Sequence, residues 1–146
     1  MRAPDFWDGD SRLAHLLEPF GLLYAAAGAW RIAHARPERA PAPVVCVGNL
    51  VAGGAGKTPV ALSLAALFQA RGREVRFLTR GHGGSERGPL RVSLPHHTAD
   101  EVGDEALLLA EAAPTVVSRD RRRGAPACAG ADVILMDDGH QNPSLF

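Results

Sequence analysis

The chain has 146 residues, Lys+Arg 16 against Asp+Glu 16, with 46% apolar and 22% charged residues, which suits one folded domain of ordinary size and excludes wholesale disorder. The charge balance gives no global field for nucleic acid, the basic run Arg121-Arg122-Arg123 is short, and no nucleic-acid partner is expected. The two cysteines, Cys46 and Cys128, lie far apart without a CxxC pair, so a disulfide scaffold and a cysteine-built zinc site are both excluded.

The start carries Asp5, Asp8 and Asp10, unlike the basic start of a secretory signal. Leu13 to Ala33 is apolar-rich, but His15, Glu18, Pro19 and Arg31 make it too polar for a spanning helix. Leu13, Leu16, Leu17, Phe20, Tyr24 and Ala27 recur at steps of three and four, with Arg12, His15 and Glu18 opposite, which predicts a one-sided helix. Pro19 and Gly21 are expected to kink or divide it. Trp30-Arg31 suits a lipid headgroup boundary. From the pattern alone two readings stand: a helix packed on the core, which the pattern favours, and a helix lying on a membrane surface. Three prolines within Arg36–Pro43 make a stiff linker. The expected organisation is therefore an N-terminal helix over 1–35, a linker over 36–43 and a main domain over 44–146.

Val44–Val47 reads as a buried strand ending at Gly48. Lys57–Ala70 reads as a helix with the apolar stripe Val60, Leu64, Leu67 and Phe68, Pro59 in its first turn and Gly72 as its stop. Val75–Leu78, Thr115–Val117 and Val133–Met136 are further strands, Ala106–Ala112 is a helix, and Arg121–Ala129 holds a short helix weakened by Gly124 and Pro126. Strands apolar on both faces, alternating with helices, predict an α/β fold with a parallel sheet covered on both sides.

Between the first strand and helix lies Gly48-Asn49-Leu50-Val51-Ala52-Gly53-Gly54-Ala55-Gly56-Lys57-Thr58. Strand, glycine-rich loop and helix in this order are the setting of a P-loop. Gly53, Gly54, Ala55 and Gly56 let successive N–H groups turn toward phosphate oxygens, and the helix N-terminus adds its positive end. Lys57 supplies charge for the β- and γ-phosphates, and Thr58 a hydroxyl for Mg²⁺. The strict motif has Gly where this chain has Val51, so the match is to its second half.

The last strand runs into Asp137-Asp138-Gly139. A carboxylate in that place holds Mg²⁺ in P-loop enzymes, and two adjacent carboxylates repel unless a cation is near. Gly103-Asp104-Glu105 opens a helix; from spacing alone, ordinary capping is the better reading and a carboxylate aimed at the phosphate site the weaker one. Arg80, at a strand's carboxyl end in Thr79-Arg80-Gly81-His82, suits an anionic substrate or a solvated turn equally. His82, His96, His97 and His140 show no metal-ligand spacing. Cys46 reads as core.

Together, Phe6-Trp7 with the helix, Val47-Gly48-Asn49-Leu50, Gly53–Pro59, Thr79-Arg80-Gly81, Val102-Gly103-Asp104-Glu105 and Asp137-Asp138-Gly139-His140-Gln141 resemble, in order and spacing, the tetraacyldisaccharide 4′-kinases, the lipid A kinases of Gram-negative bacteria. The resemblance covers nearly the whole chain, and the missing glycine at Val51 belongs to that family's pattern. It implies a P-loop NTPase-like fold and an ATP- and Mg²⁺-dependent lipid kinase. Such an enzyme moves the γ-phosphate to the 4′-hydroxyl of tetraacyldisaccharide 1-phosphate, giving lipid IVA.

The resemblance also implies a peripheral place on the cytoplasmic face of the inner membrane, an acylated disaccharide lipid as substrate, and a helix over 1–35 that dips into the membrane surface. Carried over, Asp104 matches the carboxylate acting on the sugar hydroxyl. Lys57 and Thr58 serve the phosphates and Mg²⁺. Glu105, Asp137 and Asp138 match the acidic set around Mg²⁺ and the reacting phosphate, and Arg80 and Arg121 match basic contacts to phosphate or substrate. His140 departs from the aromatic or Leu of many members. Members also continue into a second lobe, which contributes a His that partners the catalytic carboxylate, so the expectation is an N-terminal half with an incomplete fold. The rivals are a P-loop GTPase or ATPase for metal or cofactor insertion and a non-catalytic ATP-binding fragment. The first lacks its Asn-Lys-x-Asp guanine motif here.

Overall fold

The computed structural model describes residues 12–34, 37–48, 56–137 and 144–145, with residues 12–14 and Arg31 by backbone alone. Phe6-Trp7, Asn49 to Ala55 with Gly53, Gly54 and Ala55, and Asp138 to Gln141 lie outside the described residues. The described residues fall into two units, a helix and a sheet domain.

The first unit is α1 (Arg12–Ala33), a single helix that runs through Pro19 and Gly21, so the expected division is absent. Leu16, Phe20, Leu23, Tyr24 and Trp30 are all exposed, as are Leu22 and Ile32. By helical spacing the first five share one side and the last two lie off it, so the apolar surface is broader than a single stripe. His34 continues the last turn, with Nδ1 2.9 Å from the Trp30 carbonyl and its ring 4.7 Å from the indole. No helix among the described residues is long and apolar enough to cross a membrane.

The second unit is built on a five-stranded sheet in the order β1-β5-β2-β4-β3. Its strands are β1 (Val44–Val47), β2 (Val75–Thr79), β3 (Leu90–Arg91), β4 (Thr115–Val117) and β5 (Val133–Asp137). The first, second, fourth and fifth are mutually parallel. The β3 edge is antiparallel to β4 and corrects the all-parallel expectation. Two residues carry no period to read; pairing alone makes them a strand.

Successive strand residues face opposite sides, and both sides are covered, which is why the strands are apolar throughout. Val75, Phe77, Val133 and Leu135 meet α2 (Lys57–Gln69) and α4 (Asp104–Ala112) through Ala61, Ala65 and Leu109. Leu78, Ile134 and Met136 meet Ala125 and Cys128, which follow and belong to α5 (Arg121–Gly124) and the 3₁₀ turn Ala125–Cys128. Of the expected stripe of α2, Leu64 and Phe68 pack partly buried against the first cluster. Val60 and Leu67 are exposed, while Ala61 and Ala65 are fully buried. Alanines let the helix axis approach the sheet, and larger side chains are left to its flanks.

Pro37–Pro43 packs as part of this unit. Ala40 is buried in the second cluster, and the Glu38 N–H donates to the Ser144 carbonyl at 2.9 Å. Cys46, expected in the core, is exposed.

Candidate active site at the carboxyl edge of the sheet

Parallel strands deliver their carboxyl ends to one edge, where open α/β sheets bind ligands. The register places Val47 opposite Asp137 and Thr79 opposite Val117. The chain therefore leaves β1 toward the glycine-rich loop directly beside the end of β5, with the end of β2 next along. Gly56 takes a left-handed φ of 70° and α2 begins at Lys57. Lys57 and Thr58 are thus the first two helical residues, where N–H groups lack intrahelical partners and the dipole is positive.

Across from them, α4 begins with Asp104 and Glu105. The Thr58 hydroxyl donates to Glu105 Oε1 at 3.5 Å, although 47 residues separate the two. A cavity of about 450 Å³ opens between Lys57 and Glu105, walled by Thr79 to Gly84 and by Arg119. The fold therefore brings four expected residues together: Lys57, Thr58, Glu105 and Arg80. Thr58 and Glu105 are hard oxygen donors of the kind Mg²⁺ takes. No group of three or more His, Cys, Asp or Glu side chains that could hold a metal occurs among the described residues.

The other expected residues stand differently. Asp104 is exposed and does not line the cavity; its Oδ1 accepts the Glu105 N–H at 2.9 Å, a first-turn arrangement. Asp137 closes β5 and is 2% exposed. Arg121 is 1% exposed and donates from Nη2 to the Asp137 carbonyl at 3.2 Å. Burial on this scale sets its guanidinium against the strand end and away from the cavity surface. Asp138 and the loop glycines lie outside the described residues.

Two cavity residues escape the sequence reading. For His82 the sequence offers a place in the loop after β2 and no ligand, and the fold puts it on the cavity wall. Arg119 follows β4 and donates from Nη2 to the Gly84 carbonyl at 3.3 Å. The rule that flagged Arg80, a cation just past a parallel strand, applies equally to Arg119 and was the available signal.

The family model described as tetraacyldisaccharide-1-P 4′-kinase matches residues 13–146. The chain belongs to the tetraacyldisaccharide 4′-kinase family. Among curated tetraacyldisaccharide 4′-kinases, that of Methylobacterium sp. (strain 4-46) is 63% identical over 150 residues, covering 99% of this chain and 45% of the relative. That of Rhodospirillum rubrum is 54% identical, covering 99% of this chain and 44% of the relative. The chain thus spans less than half the length of these tetraacyldisaccharide 4′-kinases. A solved structure, the "apo" form of LpxK from Aquifex aeolicus in complex with ATP, superposes with a TM-score of 0.78 at 32% identity, covering 92% of this chain and 46% of that one. The P-loop kinase architecture, incomplete relative to that tetraacyldisaccharide 4′-kinase, is the α/β fold expected from the sequence.

Proposed function

We propose that this chain supplies the nucleotide-binding half of a kinase that transfers the ATP γ-phosphate to the 4′-hydroxyl of tetraacyldisaccharide 1-phosphate. The observation that carries the reading is Thr58 meeting Glu105 beside Lys57 at the mouth of a strand-edge cavity, in a chain of this family.

Phosphoryl transfer needs positioning and charge neutralisation more than covalent chemistry. Lys57 and the first N–H groups of α2 bind the phosphates. Thr58, Glu105, Asp137 and Asp138 would hold Mg²⁺, whose charge offsets that of the β- and γ-oxygens. Asp104 takes the proton of the sugar hydroxyl, one residue before a metal-holding carboxylate. Arg80, exposed on the cavity wall, attracts the anionic substrate. Arg121 acts through Asp137, by fixing the end of β5. The exposed Leu16, Phe20, Tyr24 and Trp30 of α1 support attachment to a membrane surface, where an acylated substrate resides. This reading places the protein peripherally at the cytoplasmic face of the inner membrane.

The test is transfer of labelled γ-phosphate to tetraacyldisaccharide 1-phosphate in detergent. It compares this chain with a hybrid in which the remaining half of the Methylobacterium relative is joined to it. The hybrid should phosphorylate the lipid, and Lys57→Ala should reduce the rate at least about a hundredfold, since each ~1.4 kcal/mol is tenfold. A Lys57→Ala hybrid of near-parental rate would remove the assignment. ATP binding without transfer by the hybrid would favour a non-catalytic nucleotide-binding role.

A further inference from the structure

The two walls of the cavity come from segments about twenty residues apart: the loop after β2, Arg80 to Gly84, and the start of α4 at Glu105. Where these segments meet, the contact is backbone on backbone. A Cβ on Gly84 would stand 2.5 Å from the Glu101 carbonyl oxygen, 2.7 Å from the Val102 carbonyl carbon and 2.8 Å from the Gly103 nitrogen. None of these atoms rotates out of the way. Gly103 has φ 88° and its Cβ would collide with the His82 carbonyl oxygen. Gly81 has φ 67° and would press on Val117 and, at 2.8 Å, on the Val102 carbonyl oxygen. Two hydrogen bonds tie the same seam: the Ser85 N–H to the Asp100 carbonyl and the Glu86 N–H to the Glu101 carbonyl, both 2.9 Å.

Glu105 lies two residues beyond Gly103, and the Leu107 N–H donates to the Gly103 carbonyl at 3.3 Å. A widened seam is therefore passed to Glu105 through the first turn of α4, while Ala106 and Leu109 hold the rest of that helix in the core.

We propose that Gly81, Gly84 and Gly103 form a backbone lock that sets the separation of Glu105 from Lys57 and Thr58. They are positioning residues for the metal-holding pair. The inference rests on the reading of Thr58 and Glu105 as that pair. It gives the close backbone approach at Gly84 and the left-handed turns at Gly81 and Gly103 one shared consequence at the cavity.

The test measures ATP binding by calorimetry across a Mg²⁺ titration, together with amide exchange at Ser85 and Glu86. The variants are Gly84→Ala, Glu105→Gln, the double variant, and Gly72→Ala. Gly72 has φ 70° with nothing within 4 Å of its Cβ, so Gly72→Ala strains the backbone away from the seam and controls for a general loss of stability, whereas Gly84, which is not left-handed, meets the collision alone. Gly84→Ala should raise the Mg²⁺ half-saturation about ten- to a hundredfold, as loss of a supporting contact does at metal sites. It should leave ATP affinity at saturating Mg²⁺ near that of the parent and speed exchange at Ser85 and Glu86. Adding it to Glu105→Gln should change the half-saturation no further, and Gly72→Ala should leave it unmoved. Should Gly84→Ala fail to fold, replacing the Ser85 amide by an ester removes one seam hydrogen bond without adding an atom and should give the same rise.

Faster exchange with an unchanged half-saturation, while Glu105→Gln shifts it, would overturn the lock and leave the metal pair standing. A Glu105→Gln protein with parental Mg²⁺ dependence would overturn the metal pair, and the lock with it.

Discussion

Thr58, in the first turn of α2, and Glu105, in the first turn of α4, meet at 3.5 Å across the carboxyl edge of the sheet. A hydroxyl shared with a carboxylate at that distance is an arrangement that a cation can enter, with both oxygens turning onto it. Thr58→Ala and Glu105→Gln should each raise the Mg²⁺ concentration needed for ATP binding, and the double variant should cost less than the product of the single effects, because the two act on one ion. Calorimetry over a Mg²⁺ series measures this. Fully multiplicative losses would show that the two residues act separately.

Asp104 sits one residue before Glu105, is exposed, and accepts the Glu105 N–H. As proton acceptor for the sugar hydroxyl, it should matter to turnover and little to nucleotide. In the hybrid kinase, Asp104→Asn should lower kcat about a hundredfold or more while leaving KM for ATP near that of the parent. If Asp104 serves only the helix start, Asp104→Asn should lose a few tenths of a kcal/mol to about 1 kcal/mol of stability and keep its rate. Paired kinetic and urea-unfolding measurements separate the two.

Cys128 gives a stability prediction with a fixed sign. Burial pushes its thiol from 9.0 up to about 11, against the smaller opposing pull of Arg76 and Arg91. Between those values the unfolded chain has lost the proton and the folded chain keeps it. Stability is therefore fully present below pH 9 and falls as pH rises toward 11, by up to about 1.4 kcal/mol per pH unit. Cys128→Ala should flatten that alkaline slope. Cys46 is present in both proteins and cancels from the comparison. Urea titrations at pH 8, 9 and 10 measure the difference; parallel slopes would mean that Cys128 ionises alike in both states.

The parts legible from sequence share a physical cause. Val133–Met136 reads as a strand because its two faces, through Leu135 and Ile134, are buried against different helices. Lys57 and Thr58 read as a site because a strand, a glycine-rich turn and a helix have to succeed one another there. The illegible parts depend on pairing across the fold. The centre of the buried face of α2 is hidden from the sequence because Ala61 and Ala65 carry little hydrophobicity yet allow the closest approach to the sheet, with Leu64 and Phe68 beside them. Leu90-Arg91 has no pattern and becomes a strand only by lying beside Val116 and Val117. The collision that forbids a side chain at Gly84 involves residues 101–103, and no local spacing reports it. At Glu105 an acidic first turn and a metal-facing carboxylate are the same sequence, and the approach of Thr58 from 47 residues away is visible only in the fold.

The pattern of α1 has two possible origins, because apolar residues at steps of three and four serve a protein core and a lipid surface alike. Leu16 is 70% exposed and Leu17 41%, so their contribution to the folded state of this chain is small. Each buried CH₂ is worth about 0.8 kcal/mol, so two Leu side chains entering an acyl boundary contribute several kcal/mol, enough for reversible attachment when Phe20, Tyr24 and Trp30 join them. The chain should float with vesicles of phosphatidylethanolamine and phosphatidylglycerol, and Leu16→Ser with Leu17→Ser should release it. The melting temperature should fall by no more than a few degrees, whereas core leucines would lose several kcal/mol. In the hybrid kinase the same pair should raise KM for a vesicle-borne disaccharide more than KM for ATP. A variant that unfolds easily yet still floats would assign those leucines to the protein interior and leave the lipid-facing role of α1 without support.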